Sequence, residues 1–145
     1  MKMFCLCPSD PRLRGYTYNF ALYIGKDIYD VSHIPGTADL TMSEKVVVFL
    51  LENILDEGRE VILDHWYLSA RLVQFLLTRN TYATGTIQLN RGVPKELAEI
   101  ELSERQSCFV RQGDMLLVRF RDRRDVYVLT TKLSATFVEK TQRRS

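Results

Sequence analysis

The sequence predicts an α/β protein, and two observations support this prediction. Strand-like runs rich in β-branched and aromatic residues alternate with amphipathic helical patterns from the N-terminus to about Leu102. After Leu102 the pattern changes to short strand-like runs separated by turn residues. With 145 residues and 46% hydrophobic content, the chain can form one compact domain, or one domain with a small appendage.

The first elements along the chain are two predicted strands and a helix. Residues 2–7 and 16–24 have strand character, and the prolines and glycine between them indicate a hairpin loop. The pattern is weak up to Leu40, with at most a short strand at residues 28–31. Thr41 and Glu44 then form a capping box, which predicts a helix that runs to about Asp56.

The next elements alternate between strands and helices. An apolar strand ends at Asp64, a second amphipathic helix follows until about Asn80, and residues 82–88 predict another strand. Pro94 suits the first turn of a short helix at residues 94–100. The remaining part predicts three short strands, which are residues 108–111, 115–120 and 126–131.

This order of strands and helices is that of a ribonuclease H-like core without its last elements. We therefore predict a partial ribonuclease H-like core at residues 1–102, with a small antiparallel β insertion subdomain appended at residues 103–134. Residues 135–145 form a polar tail in this prediction.

Asp64 is the most informative residue of the sequence. It stands between a predicted strand and a predicted helix, beside Trp66 and Tyr67. The carboxyl ends of strands in open α/β sheets are common ligand-binding positions, which favours a functional role for this carboxylate. An aspartate before a helix is equally typical of an N-cap, and the spacing alone does not separate the two interpretations.

Five motifs follow one another in a fixed order. They are Gly-Tyr-Thr-Tyr at residues 15–18, Tyr-Ile-Gly-Lys at 23–26, Asp-His-Trp-Tyr-Leu-Ser at 64–69, Gly-Thr-Ile-Gln-Leu-Asn-Arg-Gly-Val-Pro-Lys at 85–95, and the basic segment 119–131. In this order they resemble landmarks of piggyBac transposases and their domesticated derivatives. The third motif is similar to the Asp-Asn-Trp-Tyr-Thr-Ser signature of that family, with His65 and Leu68 in place of Asn and Thr.

The resemblance implies cut-and-paste DNA transposition, in which three aspartates hold two Mg²⁺ ions. Asp64 matches the second aspartate, and Asp10 is the candidate for the first. An aspartate before a proline is also a common turn former, and a direct alignment would place Pro8 in the metal position. The third aspartate would follow the insertion, beyond Ser145, so we expect no activity from this chain alone.

The distribution of charge indicates which kind of partner the chain could bind. The net charge is +2, but residues 113–145 contain eight Lys and Arg against four Asp and Glu. This asymmetry suits a polyanion such as DNA, although clustered charges are often only solvated surface. The predicted DNA contacts are Arg119, Arg121, Arg123, Arg124, Lys132, Arg143 and Arg144.

The remaining expectations concern the compartment and the function. Three cysteines and the lack of a secretory signal predict a nuclear or cytoplasmic protein, and Cys5 and Cys7 are predicted to be small buried side chains. We expect DNA as the partner, no membrane, and possible homo-oligomers.

Together with the resemblance of the motifs, the sequence predicts a fragment of a piggyBac-type DNA transposase. The alternatives are a non-catalytic DNA- or protein-binding module and a transposon remnant without a role.

Overall fold

The computed structural model of the chain describes residues 2–25 and 29–133, which form two β-sheets with helices packed between and beside them. The first sheet is an antiparallel hairpin of β1 (Lys2–Leu6) and β2 (Asn19–Tyr23). Phe4 and Ala21 face each other on the buried side of this hairpin. The predicted polar tail lies outside the described residues.

Helix α1 (Met42–Leu51) packs against this hairpin and is followed by one turn of 3-10 helix. Val46 and Leu50 contact the buried face of the hairpin, where Phe4 lies. Val47 and Leu51 belong to the main core on the other side. The apolar surface of α1 is therefore wide enough to connect two hydrophobic clusters.

The centre of the fold is a strand–helix–strand unit of β3 (Glu60–Leu63), α2 (Ala70–Thr78) and β4 (Tyr82–Thr86). The two strands are parallel, as expected when a helix forms the connection between them. Leu72, Val73 and Leu76 are fully buried, because these positions recur on the face of α2 that points to the core.

The last elements are the short helix α3 (Lys95–Ala98) and the strands β5 (Ser107–Gln112), β6 (Met115–Arg121) and β7 (Asp125–Thr130). The second sheet has five strands in the order β3-β4-β7-β6-β5, with β7 antiparallel to β4. The strands predicted as an insertion thus continue the sheet that begins with β3 and β4. The division of the chain near Leu102 stays a prediction.

Several sequence-based boundaries differ from the structure. The strand predicted at residues 82–88 ends at Thr86, and the helix predicted at residues 94–100 is one short turn. Residues 29–31 are not in a strand, and residue 28 lies outside the described ranges. Cys5 and Cys7 are exposed rather than buried, because they lie on the outer side of β1 and in the loop after it. Within the described ranges, no helix has the length and apolar character needed to cross a membrane.

Candidate functional site

Asp64 begins the turn that connects β3 to α2. Its carbonyl oxygen accepts hydrogen bonds from the backbone N–H groups of Tyr67 and Leu68, at 3.1 and 3.2 Å. The N-cap of α2 is Ser69, whose side chain accepts a hydrogen bond from the Leu72 N–H at 3.0 Å. The N-cap interpretation of Asp64 is therefore wrong. Its side chain is 64% exposed and is available to a ligand.

His65 contacts one oxygen of this carboxylate. The backbone N–H of His65 donates to Oδ1 of Asp64 at 2.7 Å, and Nδ1 of the imidazole lies 2.8 Å from the same oxygen. Both interactions are local, and both side chains are more than half exposed. His65 therefore contacts one of the two carboxylate oxygens that Asp64 could offer to a cation.

The two aromatic residues of the signature anchor the turn to the hairpin. Trp66 stacks on Phe4 with ring centroids 5.3 Å apart, and Tyr67 meets the edge of Trp66 at 4.8 Å. The Lys2 ammonium lies 4.5 Å from the Trp66 centroid, at a distance typical of cation–π contacts. Burial, and to a lesser degree the Asp64 charge, raises the pKa of Tyr67. The aromatic pair thus has a packing role beside the carboxylate.

Asp10 has a structural role in this fold. It caps a 3-10 turn by accepting from the Arg12 N–H at 2.9 Å, and both of its oxygens accept from the Arg12 guanidinium. The hydrogen bonds from Arg12 lower the pKa of Asp10. This arrangement agrees with the turn-former alternative. A metal ion at Asp10 would have to displace a guanidinium that already neutralises it.

The end of β1 nevertheless lies near Asp64. Cys5 and Leu6 of β1 line the same small cleft as Leu63 and Asp64, and its volume is about 90 Å³. The cleft is mostly apolar, because its other lining residues are Tyr67 and aliphatic residues of α1 and β3. It brings the ends of two strands together, but within the described ranges no three His, Cys, Asp or Glu side chains are grouped to hold a metal ion.

The chemistry of these side chains does not fit a pair of Mg²⁺ ions. Mg²⁺ prefers several oxygen ligands in octahedral geometry, and two ions need carboxylates that bridge or flank them. Asp64 offers one exposed carboxylate that His65 already contacts, and Asp10 is paired with Arg12. The described residues therefore offer one exposed carboxylate and one that is paired with arginine, and no two-metal step follows from them.

The predicted DNA contacts divide into buried and exposed residues. Arg119 is only 4% exposed, and one of its terminal nitrogens donates to the carbonyl oxygens of Leu97, Ala98 and Ile100 at 2.6–3.1 Å. Its other terminal nitrogen pairs with Asp125 at 3.2 Å. Arg119 is thus a buried structural link, and the expectation of a surface phosphate contact is corrected for this residue.

The other basic residues lie closer to solvent. Arg121 is 43% exposed and shares Asp125 with Arg119. Arg123 and Arg124 are exposed in the turn between β6 and β7, and the exposed Lys132 has its ammonium 4.5 Å from the Tyr82 ring centroid. Arg143 and Arg144 lie outside the described residues. The role of these residues in DNA binding stays a prediction.

The sequence did not indicate one group of interacting residues, which is centred on Glu44. Glu44 is fully buried and accepts a hydrogen bond from the Ser69 hydroxyl at 2.6 Å. Arg71 and Arg91 lie 3.2 and 3.7 Å from its carboxylate. The capping box identified Glu44 only as a helix signal, because the partners that bury it come from distant segments.

Two comparisons with known proteins identify the family and a similar fold. The family profile described as Transposase IS4 matches residues 1–145, and the chain belongs to this family. The fold is similar to that of a piggyBac transposase in a synaptic complex with hairpin DNA, with 22% identity and a TM-score of 0.78. The alignment covers 94% of this chain and 28% of the other chain. The resemblance seen in the motifs is confirmed at the level of family and fold.

Proposed function

We propose that this chain forms part of the ribonuclease H-like core of a piggyBac-type DNA transposase and does not cleave DNA by itself. The observation that supports the proposal best is the placement of Asp64. Its carboxylate stands exposed at the carboxyl end of β3, in a chain that belongs to a transposase family. In this proposal Asp64 is one metal ligand, and the others come from outside the described residues.

In this proposal the described residues do not suffice for catalysis. Phosphodiester cleavage with two metal ions needs several carboxylates within a few ångströms. Asp10 is engaged by Arg12, and the chain corresponds to 28% of the length of the transposase that it matches. The division into a core at residues 1–102 and an insertion at residues 103–134 belongs to the same proposal.

A second candidate is a non-catalytic module that binds DNA in the nucleus. Arg123, Arg124 and Lys132 are exposed, and basic side chains of this kind neutralise phosphates without reading sequence. The matched piggyBac transposase is described in a complex with DNA, which supports a DNA partner for this chain. Binding through so few cations would be weak.

A titration of labelled duplex at two salt concentrations tests the DNA partner that both candidates share. Each lost phosphate contact should reduce the slope of log affinity against log salt by about 0.9, so the R123A/R124A double variant should bind more weakly and less salt-dependently. Arg59→Ala is the matched control, since Arg59 is an exposed arginine that pairs with Glu57. Equal losses in both variants would refute the assigned surface. No measurable affinity for duplex would count against a DNA partner.

A further inference from the structure

Glu44 is a buried carboxylate with more partners than a helix cap requires. Its Oε2 accepts from the Thr41 N–H at 2.6 Å, which completes the cap of α1. Its Oε1 accepts from the Ser69 hydroxyl at 2.6 Å and from the Arg71 guanidinium at 3.3 Å. Burial opposes the ionisation of Glu44, but these hydrogen bonds outweigh it and hold its pKa below the usual value.

The partners of Glu44 come from the segment that contains Asp64. Ser69 is the last residue of the turn that begins at Asp64, and the same hydroxyl caps α2 through the Leu72 N–H. The carboxylate of α1 therefore fixes the far end of the turn, while the near end is fixed by β3. Capping of α1 alone would need only the bond to Thr41.

A third segment, the loop after β4, also contacts Glu44 and the turn. Arg91 lies 3.7 Å from Glu44 and donates to the Tyr67 carbonyl oxygen at 3.4 Å and to the Ser43 hydroxyl at 3.2 Å. Its neighbour Gly92 approaches Ala70 so closely that a Cβ would lie 2.5 Å from the Ala70 Cβ. The loop after β4 thus also contacts the turn and the start of α2.

We propose that Glu44 is a positioning residue that determines where the turn of residues 64–69 places the Asp64 carboxylate. Glu44 acts through Ser69 and, with Arg91, through the Tyr67 carbonyl oxygen. The inference rests on the proposed function only in the claim that Asp64 meets a ligand. The position of the turn is measurable without DNA or metal.

The fluorescence of Trp66 reports on the turn, because Trp66 is the single tryptophan of the chain and lies inside the turn. Glu44→Gln and Ser69→Ala should each raise the acrylamide quenching constant of Trp66 by about twofold at a temperature where the protein is fully folded. The double variant should show no more than the larger single effect, since both substitutions remove the same link. Ser69→Thr, which keeps the hydroxyl, should restore the wild-type quenching.

Two controls separate positioning from general stability. Leu116→Ala removes a buried side chain of β6 and should lower the melting temperature without changing Trp66 quenching. Glu52→Gln replaces an exposed carboxylate just after α1 and should change neither quantity.

Unchanged Trp66 quenching in Glu44→Gln or Ser69→Ala, with only a lower melting temperature, would overturn the proposal. If Glu44→Gln does not fold, Glu44→Asp takes its place, because it keeps the charge and leaves the Ser69 cap of α2 intact but is one methylene shorter towards Ser69. Unchanged Trp66 quenching in Glu44→Asp would then overturn the proposal. Absence of DNA binding by the wild-type chain would count against a DNA partner and leave this result intact.

Discussion

Gly85 lies opposite Leu63 in the parallel ladder of β3 and β4, with no room for a Cβ between them. A Cβ built on residue 85 would come well under 3.0 Å from the Leu63 carbonyl oxygen and would also press on Leu68. Leu63 is the residue before Asp64, and Leu68 lies in the turn that follows. The absence of a side chain at residue 85 is therefore what allows β3 and its turn to pack against β4.

Gly85→Ala should lower the free energy of unfolding by about 2 kcal/mol, because the backbone of Leu63 cannot move as a flexible side chain could. The displacement should also shift the Trp66 emission, since Leu68 belongs to the same turn. Urea unfolding followed by circular dichroism measures the stability. Thr86→Ala, at an exposed position of the same strand, is the control and should cost little. Equal stabilities of the two variants would refute the close approach.

The pH dependence of stability should contain a contribution from Glu44. The folded protein holds the pKa of Glu44 below its usual value of 4.5, so the unfolded chain binds the proton more tightly. The stabilisation is complete above about pH 4.5 and is lost as the pH falls through the lower folded pKa.

Denaturant unfolding between pH 3 and pH 7 measures this contribution. Glu44→Gln should be less stable at pH 7 and should lose less stability on acidification than the wild type. Asp10, Asp30, Asp56 and Asp125 also have lowered pKa values, so some acid sensitivity should remain. Parallel curves for wild type and Glu44→Gln would show that Glu44 does not contribute.

The sequence predicted the individual elements because hydrophobic periodicity is a local property. Both main helices, the strand before Asp64 and the three last strands lie close to their predicted places. The sequence did not reveal that β7 pairs with β4, since this contact joins Thr84 to Thr130 across 46 residues. The exposure of Cys5 was also missed, because the outer face of the hairpin is as apolar as its inner face and no alternation marks it.

The site was predicted only where its signal is local. Asp64 follows directly from the end of an apolar strand, and the turn-former alternative for Asp10 follows from the proline after it, but its pairing with Arg12 was not predicted. The distant partners of Glu44, which are Ser69, Arg71 and Arg91, are 25 to 47 residues away, beyond the reach of a motif. The burial of Arg119 does have a signal in the sequence, since Leu117 and Arg119 lie on the same face of β6.

Arg119→Ala should destabilise the fold by about 3 kcal/mol, because it leaves three carbonyl oxygens of the α3 region without their partner and leaves Asp125 paired with Arg121 alone. DNA affinity at a temperature where the variant remains folded should change no more than in the Arg59→Ala control. Thermal melts and duplex titrations of the same samples measure the two effects. A specific loss of affinity with unchanged stability would restore Arg119 as a DNA contact.

The outer face of the hairpin should promote self-association. Met3 pairs with Leu22 and Cys5 pairs with Phe20 across β1 and β2, and all four side chains are exposed. A contiguous apolar face of this kind favours association or binding of hydrophobic dyes. Sedimentation and dye fluorescence should therefore show association that Phe20→Thr reduces.

The control for this prediction is Phe109→Thr. Phe20 and Phe109 are both 56% exposed, but Phe109 lies on β5 at the other end of the fold. Equal effects of the two substitutions would show that general hydrophobicity, and not the hairpin face, causes the association. A monodisperse wild-type monomer with a sharp melt at high temperature would contradict the prediction altogether.

The chain, purified as it stands, should not nick or join DNA with Mg²⁺ or Mn²⁺. Asp64 is exposed but shares Oδ1 with His65, and Asp10 is neutralised by Arg12, so a bound Mg²⁺ would keep most of its water. Calorimetry should show poor metal affinity that changes little in Asp64→Ala. Arg12→Ala, which frees the Asp10 carboxylate, should not create a tight site, because two closely spaced ions need more than two carboxylates. Incubation with a plasmid that bears candidate terminal repeats is the direct assay. Metal-dependent cleavage by the wild type that disappears in Asp64→Ala would mean that further ligands reach Asp64 from another part of the chain or from a second copy.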